Sequence, residues 1–97
     1  MMERYTVIFS PMAIEDIKQA IIYYEGVKEG LGEHFNSQLR ITLNAIRRNA
    51  LFASVRYDDI RCAAIKKFPY MVHYHVDETK EVIIVAVYST YKQPLWE

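Results

Sequence analysis

Tyr5-Thr6-Val7-Ile8-Phe9-Ser10-Pro11-Met12-Ala13-Ile14-Glu15-Asp16-Ile17 holds a strand, a stop and a helix start in one stretch. Tyr5 to Phe9 is β-branched and aromatic, the composition of a strand. Ser10 is a residue type that accepts from the first free N–H groups of a helix. Pro11 suits the first helical position, where its missing N–H would be unpaired anyway. Glu15 and Asp16 then fall near the positive end of the helix dipole. Ile14, Ile17, Ile21 and Tyr24 recur at spacings of three and four, which predicts one buried helical stripe. Gly30-Leu31-Gly32 supplies permissive backbone and places the end of the helix between Gly26 and Gly32. A second stripe of Phe35, Leu39, Thr42, Leu43 and Ile46 follows, with Glu33, Asn36, Arg40, Asn44, Arg47 and Arg48 turned outward. Two amphipathic helices joined by a short glycine-bearing turn make an antiparallel hairpin.

From Ile60 the apolar period changes from 3.6 to two. Arg61 to Phe68 reads as a strand ended or bulged by Pro69, which has no N–H for a ladder. Tyr70, Val72, Tyr74 and Val76 alternate with Met71, His73, His75 and Asp77, giving one apolar face and one mixed face. Asp77 to Lys80 is a turn. Val82 to Val87 is apolar on both faces, as expected of a strand covered on both sides. The order is β-α-α-β-β-β: an α+β domain over residues 1–97, with the hairpin packed on a small, mainly antiparallel sheet.

Ninety-seven residues suit one domain, and 52% hydrophobic with 25% charged residues is ordinary globular composition. Lys plus Arg (12) equals Asp plus Glu (12), so net charge gives no reason to expect nucleic acid or an anionic membrane as partner. A single cysteine, Cys62, excludes an internal disulfide and a multi-cysteine zinc site, and it fits a reducing compartment. The start of the chain shows no signal-peptide pattern. The apolar run Val82–Tyr88 falls far short of the roughly 20 residues that span a bilayer. The expectation is a soluble cytoplasmic protein.

Several short pieces keep a common order: Ser10-Pro11-x-Ala13-x-x-Asp16-Ile17, Tyr23-Tyr24-Glu25, Gly30-Leu31-Gly32-x-x-Phe35, Arg56-Tyr57-x-x-Ile60-Arg61 and Lys67-Phe68-Pro69-Tyr70-x-x-x-Tyr74. A strand ending Ala86-Val87 and a tail with Pro94 and Trp96 complete them. In these pieces the chain resembles the RelE/ParE superfamily of bacterial type II toxin–antitoxin toxins, more the ParE and plasmid-stabilisation branch than the RelE branch. The resemblance implies a helical hairpin on a curved antiparallel sheet. It also implies a growth-inhibiting toxin neutralised by a cognate antitoxin. ParE-like members inhibit DNA gyrase by binding it, whereas RelE-like members cleave mRNA in the ribosome. An inactive, partner-binding member of the fold is the third reading.

Metal-independent RNA cleavage needs a base for the 2′-hydroxyl, cations for the phosphorane and an acid for the leaving oxygen. Where the RelE pattern has an arginine after the third-strand aromatic, this sequence has Met71. Where that pattern has spaced lysines, it has Ala63, Ala64 and Ile65, with Lys66 and Lys67 displaced. The tail Tyr88-Ser89-Thr90-Tyr91-Lys92 holds one cation. A fallback catalytic set of Arg61, Lys67, His73, Tyr88, Tyr91 and Lys92 is therefore weak, and these residues read more simply as strand-face charges and core. His73 and His75, with His34 as a third ligand, offer only a weak metal pattern, so no metal and no cofactor is expected. Cys62 has no base–orienter pair beside it in the sequence.

For partners, Arg47, Arg48 and Arg56, with Arg40, form a basic cluster. It suits the end of a helix dipole or an acidic partner surface on gyrase, on ribosomal RNA or on the antitoxin. Ile22, Tyr23 and Val27 lie beyond the clean stripe of the first helix, too much apolar surface for one small sheet to cover. They are expected to seat an antitoxin segment and to drive self-association in its absence.

Overall fold

The computed structural model describes residues 4–89. Strand β1 (Thr6–Phe9) leads into helices α1 (Pro11–Val27) and α2 (Leu31–Arg48). Strands β2 (Val55–Tyr57), β3 (Ile60–Ala64), β4 (Tyr70–Val76) and β5 (Glu81–Ser89) follow. The expected order is present with one addition, β2, which is too short to show an alternation in the sequence. The sheet order is β1-β5-β4-β3-β2. It is mixed rather than wholly antiparallel, because β1 runs parallel to β5, with Val7 opposite Val82. Alternating apolarity marks a strand but not the direction of its neighbour, so the sequence carries no sign of this pairing.

Ser10 caps α1 as expected, its hydroxyl accepting from Ala13 N at 3.1 Å. The buried stripe of α1 differs from the expected one. Ala13 and Ala20 are buried, Ile17, Ile21 and Tyr24 pack beside them, and Ile14 is 48% exposed. At about 100° per residue, Ile14 sits a quarter-turn round from Ala13, and the small alanines let α1 approach the sheet closely. Glu15 and Asp16 lie beyond the first turn, which holds no acid. The α2 stripe is as expected: Phe35, Leu39, Thr42, Leu43 and Ile46 are all buried.

Two residues fix the angle of the hairpin. Gly30 is left-handed at φ 88°, a conformation that costs most residues strain. At Gly32 a Cβ would lie 2.7 Å from Ile21 O, so the helices touch backbone to backbone. Glu25 then caps α2 by accepting from Gly30 N and Gly32 N, both at 3.0 Å. The hairpin tip is tied to the sheet by an aromatic cluster. Tyr24 lies 4.8 Å from Phe68 between ring centroids and 5.5 Å from Phe35, and Phe35 lies 5.1 Å from Tyr70. For Phe68 to reach that cluster the chain must leave the sheet early. The strand expected over Arg61–Phe68 therefore stops at Ala64, and Lys67 adopts φ 71° in the turn.

A bulge in β5 sets which residues face which way. His73 pairs with Ala86 but Tyr74 pairs with Ile84, so Val85 is an extra residue. Before it, Val82 and Ile84 face the helices; after it, Val87 does. Ala86 turns to the opposite face beside His73. The backbone groups freed there are taken by α1. Ser10 Oγ donates to Val85 O at 3.1 Å, and an Asp16 carboxylate oxygen accepts from Val87 N at 3.0 Å. The paired Ser10 and Asp16 of the sequence motif thus clamp the bulge.

Candidate functional site

The first surface lies along α1. Ile22 is 67% exposed, and Tyr23 and Val27 are exposed with it, as the sequence led us to expect. Tyr23 packs edge-on against Tyr24 at 5.1 Å, which holds its ring in place. A groove of about 680 Å³ runs from Tyr23 and Gln19 across to Tyr70, Val87 and Tyr88. Its floor is built by the bulge. Strand β1 ends at Phe9 opposite Ile84, so beyond that point the outer edge of β5 meets α1 rather than a strand. Burial pushes the Tyr70 hydroxyl up in pKa, with Tyr23 and Asp16 adding to it. Of the three α1 residues expected to seat a partner, Tyr23 lines this groove and Ile22 and Val27 do not. Tyr70 and the β5 edge were missed, because nothing in the sequence pattern marks the bulge.

The second surface is the sheet face turned away from the helices. Cys62 pairs with His73, and His73 with Ala86, so these three share that face with Met71 and Tyr88. His73 is only 2% exposed, so the half of β4 expected to be a mixed, wet face is in part a buried one. Its Nδ1 lies 3.1 Å from Tyr57 Oη and 3.4 Å from Cys62 Sγ. A hydroxyl and a thiol both carry a proton to give, and an unprotonated Nδ1, with a single lone pair, accepts fully from only one of them at a time. Burial, and then the Arg56 charge, hold the His73 pKa below its ordinary value. Burial pushes the Cys62 thiol up, with Arg56 partly offsetting it, and burial likewise raises Tyr57. The cluster is neutral near pH 7, and Arg56 is the one described cation acting on His73 and Cys62.

Of the fallback catalytic residues the structure brings His73 and Tyr88 together, their rings meeting edge-on at 5.6 Å, and holds Arg61 and Lys67 apart from them. Arg61 pairs with Tyr74 on the helix-facing side, while His73 points the other way. The Arg61 guanidinium donates to Ala53 O at 2.6 Å and Leu51 O at 3.3 Å, and so is occupied in holding a loop. Lys67 is exposed in the β3–β4 turn. Tyr91 and Lys92 lie outside the described residues. His34, exposed on α2, meets Phe68 edge-on at 5.3 Å on the helix side of the sheet, whereas His73 sits on the other face. Among the described residues no group of three or more His, Cys, Asp or Glu is gathered around one point. None of the described helices is long and apolar enough to cross a membrane.

The third surface surrounds the end of α2. Arg47 and Arg48 occupy its last turn, where cations suit the dipole, and Arg47 donates to Asn44 Oδ1 at 3.2 Å. Arg40, Arg48 and Arg56 are exposed. The loop after α2 is pinned from the sheet, with Tyr74 Oη donating to Ala50 O at 2.7 Å alongside the Arg61 contacts.

Comparison with known proteins agrees with this architecture. The chromosomal ParDE toxin–antitoxin system of P. aeruginosa contains a chain that superposes with a TM-score of 0.76 at 12% identity, over 88% of this chain and 95% of that one. A chain of the toxin–antitoxin complex RelBE2 (Rv2865-2866) from Mycobacterium tuberculosis gives 0.63 at 18% identity, over 89% and 98%. At those identities the likeness is one of fold. No curated protein sequence matches the chain. The family model of the ParE toxin of the type II toxin–antitoxin system parDE matches residues 7–94, from the first strand through the tail. With nearly the whole sequence matched and the fold shared, this chain belongs to the ParE family of type II toxin–antitoxin toxins.

Proposed function

We propose that the chain inhibits growth by binding DNA gyrase, without chemistry of its own, and that a cognate antitoxin neutralises it by covering the α1 surface. The observation that carries this reading is the face of the sheet opposite the helices. Ribonucleolytic cleavage there would need several cations and a titrating acid–base pair. That face instead holds a neutral, buried His73–Tyr57–Cys62 cluster and Met71, while Arg61 is turned to the other side. Binding needs none of those groups.

The antitoxin reading is supported by the exposed Ile22, Tyr23 and Val27 of α1 and by the groove that Tyr23 lines with Tyr70 and Val87, surfaces that an amphipathic helix or an added strand would cover. Both structural neighbours come from toxin–antitoxin systems. The test is a supercoiling assay with purified protein and gyrase, run beside a purified translation system probed for mRNA cleavage. Inhibition of supercoiling with intact mRNA is expected. Site-specific cleavage of ribosome-bound mRNA, abolished by His73→Ala, would replace this reading with the RelE-like one.

A further inference from the structure

The groove between α1 and the end of β5 carries charge of one sign. Its walls include Tyr23, Tyr24, Tyr70 and Tyr88, and Asp16 is the one charged residue among the described ones that line it. The cations nearest in sequence stay out of it. Lys18 follows Asp16 by two residues, which is about 200° round the helix. Pro69 lines the groove, but Lys66 and Lys67 before it do not. Helix α1 as a whole holds Glu15, Asp16 and Glu25 against Lys18 alone.

Asp16 is half-buried and held in place. One carboxylate oxygen accepts from Val87 N at 3.0 Å, and no described Lys or Arg pairs with the carboxylate. The rings around it are held as well. Tyr23 meets Tyr24 edge-on at 5.1 Å, and Tyr24 meets Tyr70 at 5.9 Å between centroids. Burial, and then Tyr23 and Asp16, raise the Tyr70 pKa, a coupling that needs the three groups close together. A partly desolvated carboxylate among tyrosines suits a cation. Ring faces and phenol oxygens carry partial negative charge, and a guanidinium can stack on a ring while its N–H groups reach a carboxylate. An anion would be repelled there, and an apolar side chain would cover Asp16 and leave its charge without a partner. The volume of about 680 Å³ has room for a long side chain and the backbone that brings it.

We infer that this groove takes a cationic side chain of the antitoxin, which pairs with Asp16 beside the rings of Tyr23 and Tyr70. Asp16 then recognises the partner as well as clamping the bulge. This rests on the antitoxin reading of the α1 surface above, and the experiment separates the two. Asp16→Asn keeps an oxygen for Val87 N and removes the charge. It would be purified, checked for slow hydrogen exchange at Val87, and titrated with the cognate antitoxin beside the original protein. Glu29→Gln removes the same charge from a residue outside the groove and serves as the control. Each Lys and Arg of the antitoxin would also be changed to Met in turn and titrated against the original protein and Asp16→Asn. Asp16→Asn should bind antitoxin at least about tenfold more weakly. One antitoxin cation should show a similar loss against the original and no further loss against Asp16→Asn. Glu29→Gln should stay within about twofold of the original.

Full affinity in Asp16→Asn, with Ile22→Ser/Tyr23→Ser weakened, would sink this inference and leave the α1 surface to the antitoxin. Full affinity in both would remove the two readings together. The antitoxin scan against the original protein tests the same contact without touching the fold of this chain. A scan in which no single Lys or Arg matters overturns the proposal. An equal loss in Glu29→Gln would reduce the effect to long-range charge, and overturns it as well. Self-association lost in Asp16→Asn, with antitoxin affinity kept, would give the groove to a second copy of the chain instead.

Discussion

The two helices lie side by side, have nearly equal lengths and use their apolar residues in opposite ways. α2 buries every large residue of its stripe, from Phe35 to Ile46, and leaves only Ile41, outside the stripe, exposed among its large apolar residues. α1 buries two alanines and leaves Met12, Ile14, Ile22, Tyr23 and Val27 substantially exposed. A helix that serves only its own core has no use for that arrangement, since each half-exposed aliphatic side chain forgoes roughly half of the 1.5–3 kcal/mol that full burial supplies. The difference says that α2 holds the fold together while α1 holds the sheet on one side and leaves apolar surface uncovered on the other, the side we propose for the antitoxin.

The largest effect belongs to α2. Phe35 is fully buried and touches Tyr24, Phe68 and Tyr70, which join the hairpin tip to the β3–β4 turn. Phe35→Ala should cost about 3–5 kcal/mol in urea unfolding. A cost under about 1 kcal/mol would mean that the aromatic cluster is not what ties the hairpin to the sheet. Gly32→Ala should come next, at about 1–3 kcal/mol, because its Cβ would meet backbone rather than a side chain able to move. Gly26→Ala is the matched control inside α1: its Cβ meets nothing within 4 Å, so it should be neutral or stabilising.

Much of this was legible in the sequence, and the failures have physical causes. The α2 stripe, the Ser10 cap, the hairpin turn and the turn at Asp77–Lys80 all rest on local chemistry that the sequence carries. The burial of Ala13 in place of Ile14 was not legible. The approach of α1 to β5 is set by the bulge at Val85, which is a relation between distant strands. The parallel pairing of β1 was hidden for the same reason. His73 looked like a wet strand residue because its partners, Tyr57 and Cys62, come from two other strands. Exposure of Ile22, Tyr23 and Val27 was legible, since too many large residues crowded one short helix.

The clamp between α1 and the bulge offers a smaller, more local test. Asp16→Ala removes the acceptor of Val87 N and leaves that partly buried N–H without its partner, at a cost of about 1–2 kcal/mol. Hydrogen exchange should quicken at Val87 and stay slow at Val82, which is on the other side of the bulge. Equal protection at Val87 before and after the change would show that Asp16 is dispensable there.

The contrast between covered and uncovered faces extends to pH. His73 has a folded-state pKa below its ordinary 6.5, so the unfolded chain takes up its proton first as pH falls. Its contribution to stability is complete above about pH 6.5 and is lost progressively below it, until the folded-state pKa is passed. Unfolding free energies measured between pH 7.5 and 5.5, where most carboxylates stay ionised, should therefore decline toward the acid end. His73→Gln should flatten the decline. A profile that rises toward pH 5.5 would contradict a neutral imidazole between Tyr57 and Cys62.

The smallest effect on stability is expected where the exposed apolar surface is largest. Ile22→Ser and Tyr23→Ser alter side chains that touch little of the fold beyond the edge of Tyr24, so each should change unfolding free energy by no more than about 0.5 kcal/mol. If α1 is shaped for a partner, the effects appear in association instead. The double variant should stay monomeric at concentrations where the original protein self-associates in sedimentation. It should also bind the antitoxin at least about tenfold more weakly, as loss of a central apolar anchor does. The two readouts must move together, because both depend on the same uncovered residues. Self-association that survives the double change would place the sticky surface elsewhere, with Leu51, Phe52 and Val55 the next to alter. A double variant that loses stability as Phe35→Ala does would erase the division between the helices, since Ile22 and Tyr23 would then be part of the core.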